Sequence, residues 1–342
     1  MKAVVYKGPE NLALEEREVP EPAPGEVLIE TKAVGICGSD VSIYYGNFKK
    51  IEPPLTIGHE GGGVVRELGE GVDWPKEGTR VAVSPLDYCG KCEYCIDARY
   101  SLCENLKTIG MIEREGEYAE YFVAPARNCH VIPESLEWRQ AALIDTLAGP
   151  VATIERRNIP VNSGVAVFGA GPAGLFFARL AKLKGAGEVY LMGHNDDRLE
   201  LGRSYGADRI INTHDTDPVE TILEFTNGKG TETVIEAAGS EQASSQGLSS
   251  LAKGGTMMVY GIVESGPVAV SMEDIALDEY ELFGIADNTH GYNQAIELIG
   301  AGEVEVEPLI THQFSLSELP DAFSRHLMRD KKEGYIKGVV EL

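Results

Sequence analysis

The sequence predicts an α/β chain in which a doubly wound parallel sheet is inserted into a β-rich domain built from both chain ends. Three observations predict it. A glycine-rich turn, Gly169-Ala170-Gly171-Pro172-Ala173-Gly174, joins an apolar strand to a helical run. Downstream of that turn, strands and helical segments alternate at a spacing that demands parallel pairing. Upstream, residues 1 to about 145 read as short strands parted by glycine and proline turns, and strand character returns at the C-terminus.

In chain order, strands are expected at 3–6, 26–34, 63–68 and 80–83, bounded by turn residues such as Pro22, Pro24, Gly25, Gly69 and Gly71. A helical pattern begins near 133–135 and runs through Trp138 to Leu147. From Gly164 the pattern changes to strand 165–168, the glycine turn, helix 175–184 and strand 188–192. Strands at 209–211, 233–236 and 256–260 follow between helical segments, then a helix at 292–299 and a last strand at 336–341. The expected division is a β-rich domain at 1–147, a parallel-sheet domain at 148–285 and a return to the first domain at 286–342.

Composition bounds the partners. With 30 Lys and Arg against 54 Asp and Glu, the net charge of −24 repels phosphate backbones and excludes nucleic acid as a partner. The most apolar stretch, 165–178, is too short and too often broken by glycine and proline to span a bilayer, so no membrane partner is expected. The opening residues Met1-Lys2-Ala3-Val4-Val5-Tyr6 carry no export signal, and a cytoplasmic location is expected.

Four of the six cysteines, Cys89, Cys92, Cys95 and Cys103, crowd into fifteen residues, forming a lobe at about 86–106. In a reducing compartment such a cluster holds metal. Four thiolates match the closed tetrahedral shell of structural zinc, with no position left for substrate. An iron–sulfur cluster is the competing use, but ferredoxin runs place the fourth cysteine closer and follow it with proline, whereas Glu104 stands here.

The turn Gly169-x-Gly171-x2-Gly174, between strand and helix, is a dinucleotide fingerprint of Rossmann type. Its glycines, with Pro172 and Ala173, bring the pyrophosphate to a helix N-terminus. An NAD-specific site needs an acid at the tip of the second strand, where it binds the ribose hydroxyls. Gly193 occupies that tip, followed by His194 and Asn195, with Arg198 one turn on. The absent carboxylate leaves space for a 2′-phosphate, so NADP is expected over NAD. Asp196 and Asp197, if turned inward, would replace the missing acid and restore NAD.

A second set of candidate ligands precedes the cysteine lobe: Cys37 in Gly35-Ile36-Cys37-Gly38-Ser39-Asp40, and His59-Glu60 in Gly58-His59-Glu60-Gly61-Gly62-Gly63. Here the chain resembles the medium-chain zinc-dependent alcohol dehydrogenases, in their sorbitol- and sugar-dehydrogenase-like branch. The segment Gly58-His59-Glu60-x2-Gly63-x5-Gly69-x2-Val72 satisfies that family's zinc signature at every fixed position. The Cys-Gly-Ser-Asp segment, the cysteine lobe and the glycine fingerprint follow in the family's order, so the resemblance spans essentially the whole chain.

The resemblance implies a GroES-like catalytic domain around the Rossmann insert, and two zinc ions per chain. It makes Cys37 and His59 ligands of a catalytic zinc, Glu60 a ligand or close exchangeable carboxylate, and Asp145 the remaining ligand. The pair Asp145-Thr146 departs from the Glu-Pro or Cys of many relatives. Asp40 is expected to accept from the non-ligating nitrogen of His59, and Ser39 to take the first proton from the substrate alcohol. Where several relatives complete the proton relay with histidine, this chain has Ser42, so water is expected to carry the proton out. Zinc would supply the Lewis acidity that lets an alcohol ionise near neutrality.

Tyr44, Tyr45, Met111, Asp287 and Asn288 fall in segments that line the substrate pocket in relatives. The two polar members suit hydroxyl groups, hence a polyol or sugar substrate and oxidation of a secondary alcohol to a ketone. A simple secondary-alcohol dehydrogenase is the nearest alternative; a non-catalytic NAD(P)-binding sensor would be expected to have lost a ligand. The family also implies a homotetramer or homodimer.

Overall fold

The computed structural model describes residues 1–286, 288–326 and 334–342. The chain forms two compact units, one from Met1–Ala148 with Asp287–Leu342 and one from Gly149–Ala286.

The first unit is built on a seven-stranded sheet. Its order is Cys129–Val131, Arg80–Val83, Glu60–Leu68, Glu26–Gly35, Lys337–Glu341 and Ile310–Ser315, with Tyr121–Pro125 also pairing on Glu26–Gly35. The strand expected at 63–68 begins earlier, at Glu60, because Gly61, Gly62 and Gly63 are strand residues rather than a loop. A Cβ on Gly62 would collide with the carbonyl of Val81, and one on Gly63 with that of Glu30. Bare backbone is what lets three strands close up beside the His59-Glu60 pair. Val27, Ile29, Val65, Val81, Val83 and Phe122 form the core beneath. A smaller sheet joins Asn11–Glu16, Lys2–Gly8 and Leu55–Thr56.

The helix expected to end at Leu147 is two helices, Trp138–Ala141 and Ile144–Arg156. The second runs on through Pro150, whose ring nitrogen cannot donate to the preceding turn. Thr153 Oγ1 donates to the Gly149 carbonyl at 2.9 Å within the same stretch.

The second unit is a six-stranded parallel sheet ordered Arg209–Asn212, Val189–Gly193, Val165–Phe168, Thr231–Glu236, Leu251–Val259 and Glu281–Gly284. Numbered within the unit this is 3-2-1-4-5-6, the doubly wound order whose crevice opens above the first strand. Ala166, Phe168, Tyr190, Met192, Val234 and Met257 pack one face of it. Among the described residues no helix is long and apolar enough to cross a membrane.

Candidate functional site

Sheet register gathers the first cluster. Gly35 faces Glu60 on one side and Val339 on the other, which brings Cys37, Glu60 and Lys337 to one end of the sheet. Cys37 caps the short helix Gly38–Tyr44, and Asp40, three residues on, accepts the Cys37 backbone N–H at 2.9 Å through Oδ2. One donor atom each from Cys37, His59 and Glu60 lie within 4.8 Å of one another. His59 Nδ1 stands 3.3 Å from Asp40 Oδ1, and Ser39 Oγ 3.2 Å from His59 Nε2. Asp40 is sealed from solvent. Burial opposes its charge, but His59, the Cys37 N–H and the Tyr118 hydroxyl outweigh it and lower its pKa. Burial likewise opposes a charge on His59, yet Asp40 and Cys37 lift its pKa well above the ordinary value.

Asp145 lies in the first turn of Ile144–Arg156, outside that three-donor set. Its Oδ1 accepts from the Asn288 amide and the Tyr292 hydroxyl, both at 2.6 Å. Burial and the charge of Glu60 push its carboxyl up to about 6, against the opposing pull of His59 and Tyr292. Glu117, fully buried, is raised well above the carboxylate range by burial, with Asp145 and Glu60 adding repulsion and His59 opposing. Carboxyl groups that repel one another around a thiol and an imidazole make a donor set that a divalent cation would relieve, and its mixture of sulfur, nitrogen and oxygen suits zinc.

The cysteine lobe is separate. The sulfurs of Cys89, Cys92, Cys95 and Cys103 all lie within 4.8 Å of one another. Cys92 and Cys95 are 3.5 Å apart, and Cys89 and Cys95 3.9 Å. Tetrahedral zinc with bonds of about 2.3 Å needs sulfurs about 3.8 Å apart, so the cradle fits that ion. The backbone N–H groups of Lys91 and Cys92 lower the Cys89 thiol to about 6, whereas burial pushes Cys95 up to about 12.

In the second unit, Gly169 has φ +114°, and a Cβ there would lie 2.8 Å from the Ala238 nitrogen. A Cβ on Gly174 would strike the Gly169 carbonyl, whereas Gly171 faces open space at the N-cap of helix Pro172–Leu183. Packing therefore requires the outer two glycines, and the middle one leaves the helix end clear for a phosphate. Gly193 ends the second strand, but a Cβ there would lie 2.8 Å from that of Ala170. Asn195 spends its side-chain oxygen capping the next helix at Arg198 N, and Asp196 accepts from Asn212 at 2.7 Å. His194 is exposed, its ring 5.5 Å from that of His214.

The residues expected to line a substrate pocket divide. Tyr44 is buried in an apolar cluster with Ile36, Ile43 and Phe323, and Tyr45 and Met111 pack at its margin. Asn288 instead turns to Asp145. Asp287 lies outside the described residues.

The Alcohol dehydrogenase GroES-like domain family matches residues 23–134, and the Zinc-binding dehydrogenase family matches 172–301. Sorbitol dehydrogenase of Bacillus subtilis is 34% identical over 331 residues, 96% of this chain and 94% of that protein. L-threonine 3-dehydrogenase of Pyrococcus horikoshii is 34% identical over 94% of this chain and 93% of its own length. The chain belongs to the zinc-dependent medium-chain alcohol dehydrogenase family. It is an NAD(P)-dependent alcohol or polyol dehydrogenase. Two solved structures match it at TM-score 0.93 and 31% identity, each over 100% of this chain and 99% of the other. One is a zinc-binding dehydrogenase of Sinorhizobium meliloti 1021 bound to NADP, the other an alcohol dehydrogenase of E. coli CFT073 complexed with NADH.

The dehydrogenase's site also holds side chains that sequence reasoning missed. Lys337, buried in the last strand, pairs with Glu60 Oε2, while Thr146 donates to Glu60 Oε1 at 3.2 Å. A Cβ on Gly35 would lie 2.6 Å from Glu60 Oε2 and 3.2 Å from Lys337 Cε, so the glycine makes room for the pair. The signal was present: a lysine in an otherwise apolar terminal strand, Lys337-Gly338-Val339-Val340, is buried only with a partner. Tyr292 and Glu117 gave no local signal.

Proposed function

We propose that this dehydrogenase oxidises a secondary hydroxyl of a polyol or sugar to a ketone, with NADP as the preferred hydride acceptor and two zinc ions per chain. The convergence of Cys37, His59 and Glu60 donors within 4.8 Å carries the reading. Those residues and Asp145 would hold the catalytic ion, which supplies Lewis acidity, and Cys89, Cys92, Cys95 and Cys103 would hold the structural one. Ser39, 3.2 Å from His59 Nε2, takes the first proton from the alcohol, and solvent beyond Ser42 removes it. Among the described residues, the buried Asn288 Oδ1 has no hydrogen-bond partner, while its amide serves Asp145. That free acceptor supports a hydroxyl-rich substrate over a plain aliphatic alcohol.

Gly193, His194, Asn195 and Arg198 support a 2′-phosphate at the ribose. The thiol-rich lobe supports a reducing, cytoplasmic location, and we place the enzyme there as a homotetramer or homodimer; light scattering that reads a monomer would reject the assembly. The decisive experiment is a screen of polyols, aldoses, secondary alcohols and L-threonine with both cofactors, alongside elemental analysis. Turnover of polyols or aldoses with about two zinc ions per chain is expected. Turnover confined to L-threonine or to aliphatic alcohols would overturn the substrate class. A single zinc in active enzyme would overturn the metal assignment.

A further inference from the structure

Tyr118, in the chain segment that links the strands Glu113–Arg114 and Tyr121–Pro125, is fully buried. Its segment lies along the one that leads into His59: Gly116 N donates to Thr56 O at 2.8 Å, Glu117 N to Gly58 O at 2.9 Å, and Tyr118 N to Ile57 O at 3.0 Å. The ring occupies the space a side chain on Gly58 would need, with Cδ1 2.7 Å from that Cβ position, and Gly58 has φ +94°. The backbone entering His59 is thus moulded around this ring.

The hydroxyl adds a separate interaction. It donates to Asp40 Oδ2 at 2.8 Å, and the Gly35 carbonyl is farther, at 3.3 Å. The same Oδ2 accepts the Cys37 N–H at 2.9 Å, and Oδ1 faces His59 Nδ1 at 3.3 Å. One carboxylate therefore ties together the two segments that carry Cys37 and His59, and a third segment fixes that carboxylate. Packing alone does not require a hydroxyl here. The neighbours Val4, Ile57 and Val34 are apolar, and phenylalanine would fill the same volume.

We infer that Tyr118 is a positioning residue of the metal centre, acting through Asp40 to set the orientation of His59 and the path of the backbone at Cys37. This rests on the proposed catalytic zinc site. Without the hydroxyl, Asp40 Oδ2 loses the closer of its two donors among the described residues and keeps the Cys37 N–H, so the carboxylate that faces His59 is less firmly held. The His59 ring then faces a less fixed partner, and the ion is held less tightly.

The test is zinc competition with a chromogenic chelator, run on purified holoenzyme and its Tyr118→Phe, Asp40→Asn, double and Cys37→Ser variants. Tyr118→Phe should weaken one zinc class about tenfold, the low end of the 10–100-fold typical of outer-shell partners, and leave the four-cysteine zinc unchanged. Because both residues act on the same ring, the double variant should lose no more than Asp40→Asn alone. Unchanged zinc affinity in Tyr118→Phe, equal weakening of both zinc classes, or strictly additive losses would each overturn the inference. Cys37→Ser separates the two levels. If it loses one zinc while Tyr118→Phe weakens none, only the role of Tyr118 falls. If Cys37→Ser retains both, the metal centre is wrong and the role of Tyr118 falls with it.

Discussion

Replacing Lys337 with methionine removes a charge from a nearly sealed ion pair. The ammonium pairs with Glu60 Oε2, and both side chains are nearly sealed, 4% and 3% exposed. Methionine fills similar space, so the change leaves Glu60, among the described residues, with the neutral donor Thr146 at 3.2 Å. Breaking a buried pair by removing one partner costs about 3–5 kcal/mol. The Thr146 bond argues for the lower end in metal-free protein, and a bound divalent ion, replacing the lost positive charge, should shrink the cost further. Burial works against the charge on Lys337, but Glu60, with Cys37 behind it, outweighs burial and raises its pKa. A raised lysine pKa contributes stability that is complete below about 10.4 and is lost only as pH climbs past the folded value. Between about pH 8 and pH 9, above the range in which Asp145 titrates at about 6 and below the lysine's own, the deficit of the variant should therefore be constant.

Urea unfolding of metal-stripped and zinc-loaded protein, followed by tryptophan fluorescence, reads this directly. Trp74 and Trp138 both lie in the unit that holds the pair. The double variant Lys337→Met/Glu60→Gln, with no stranded charge, should recover most of the stability. A cost below about 1 kcal/mol in the metal-free single variant, or a double variant as unstable as the sum of its parts, would refute the reasoning.

Ser39→Ala should cut turnover roughly 10²–10⁴-fold in steady-state assays, while Ser42→Ala should change it little; the reverse pattern would reassign the proton path. Gly193→Asp alone should impair both cofactors, because its Cβ meets that of Ala170 at 2.8 Å. Paired with Ala170→Gly it should shift kcat/KM toward NAD, and a clean switch in the single variant would contradict the packing argument. After chelation, alkylation at about pH 8 read by mass spectrometry should label Cys89, lowered to about 6, well before Cys129, which burial and Glu117 push up to about 12. Uniform labelling would deny those environments. Cys92→Ser should lower the thermal midpoint, whereas Cys37→Ser should abolish turnover with the midpoint nearly kept, as spectroscopy and assays on the same samples will show.

What the sequence determined by itself is what short-range spacing encodes. Four cysteines within fifteen residues can meet around one ion whatever the rest of the chain does. The glycine turn is legible from its own strand and helix, and the collision that fixes Gly174 is with the nearby Gly169 carbonyl, whereas the one that fixes Gly169 is with Ala237 and Ala238, which only the sheet brings there. The alternation from Val165 onward likewise implied parallel pairing before any register was known. Tertiary structure decided the partners of those residues. Lys337 reaches Glu60 across 277 residues of chain, Tyr292 reaches Asp145 across 147, and Tyr118 reaches Asp40 across 78. It also gave the Asn288 amide to Asp145, and set Ala170 against Gly193. A buried charge or hydroxyl has to be satisfied by whatever group the sheet register carries to it. Register is a property of strands far apart in sequence, so the identity of that group cannot be read from either residue's neighbours.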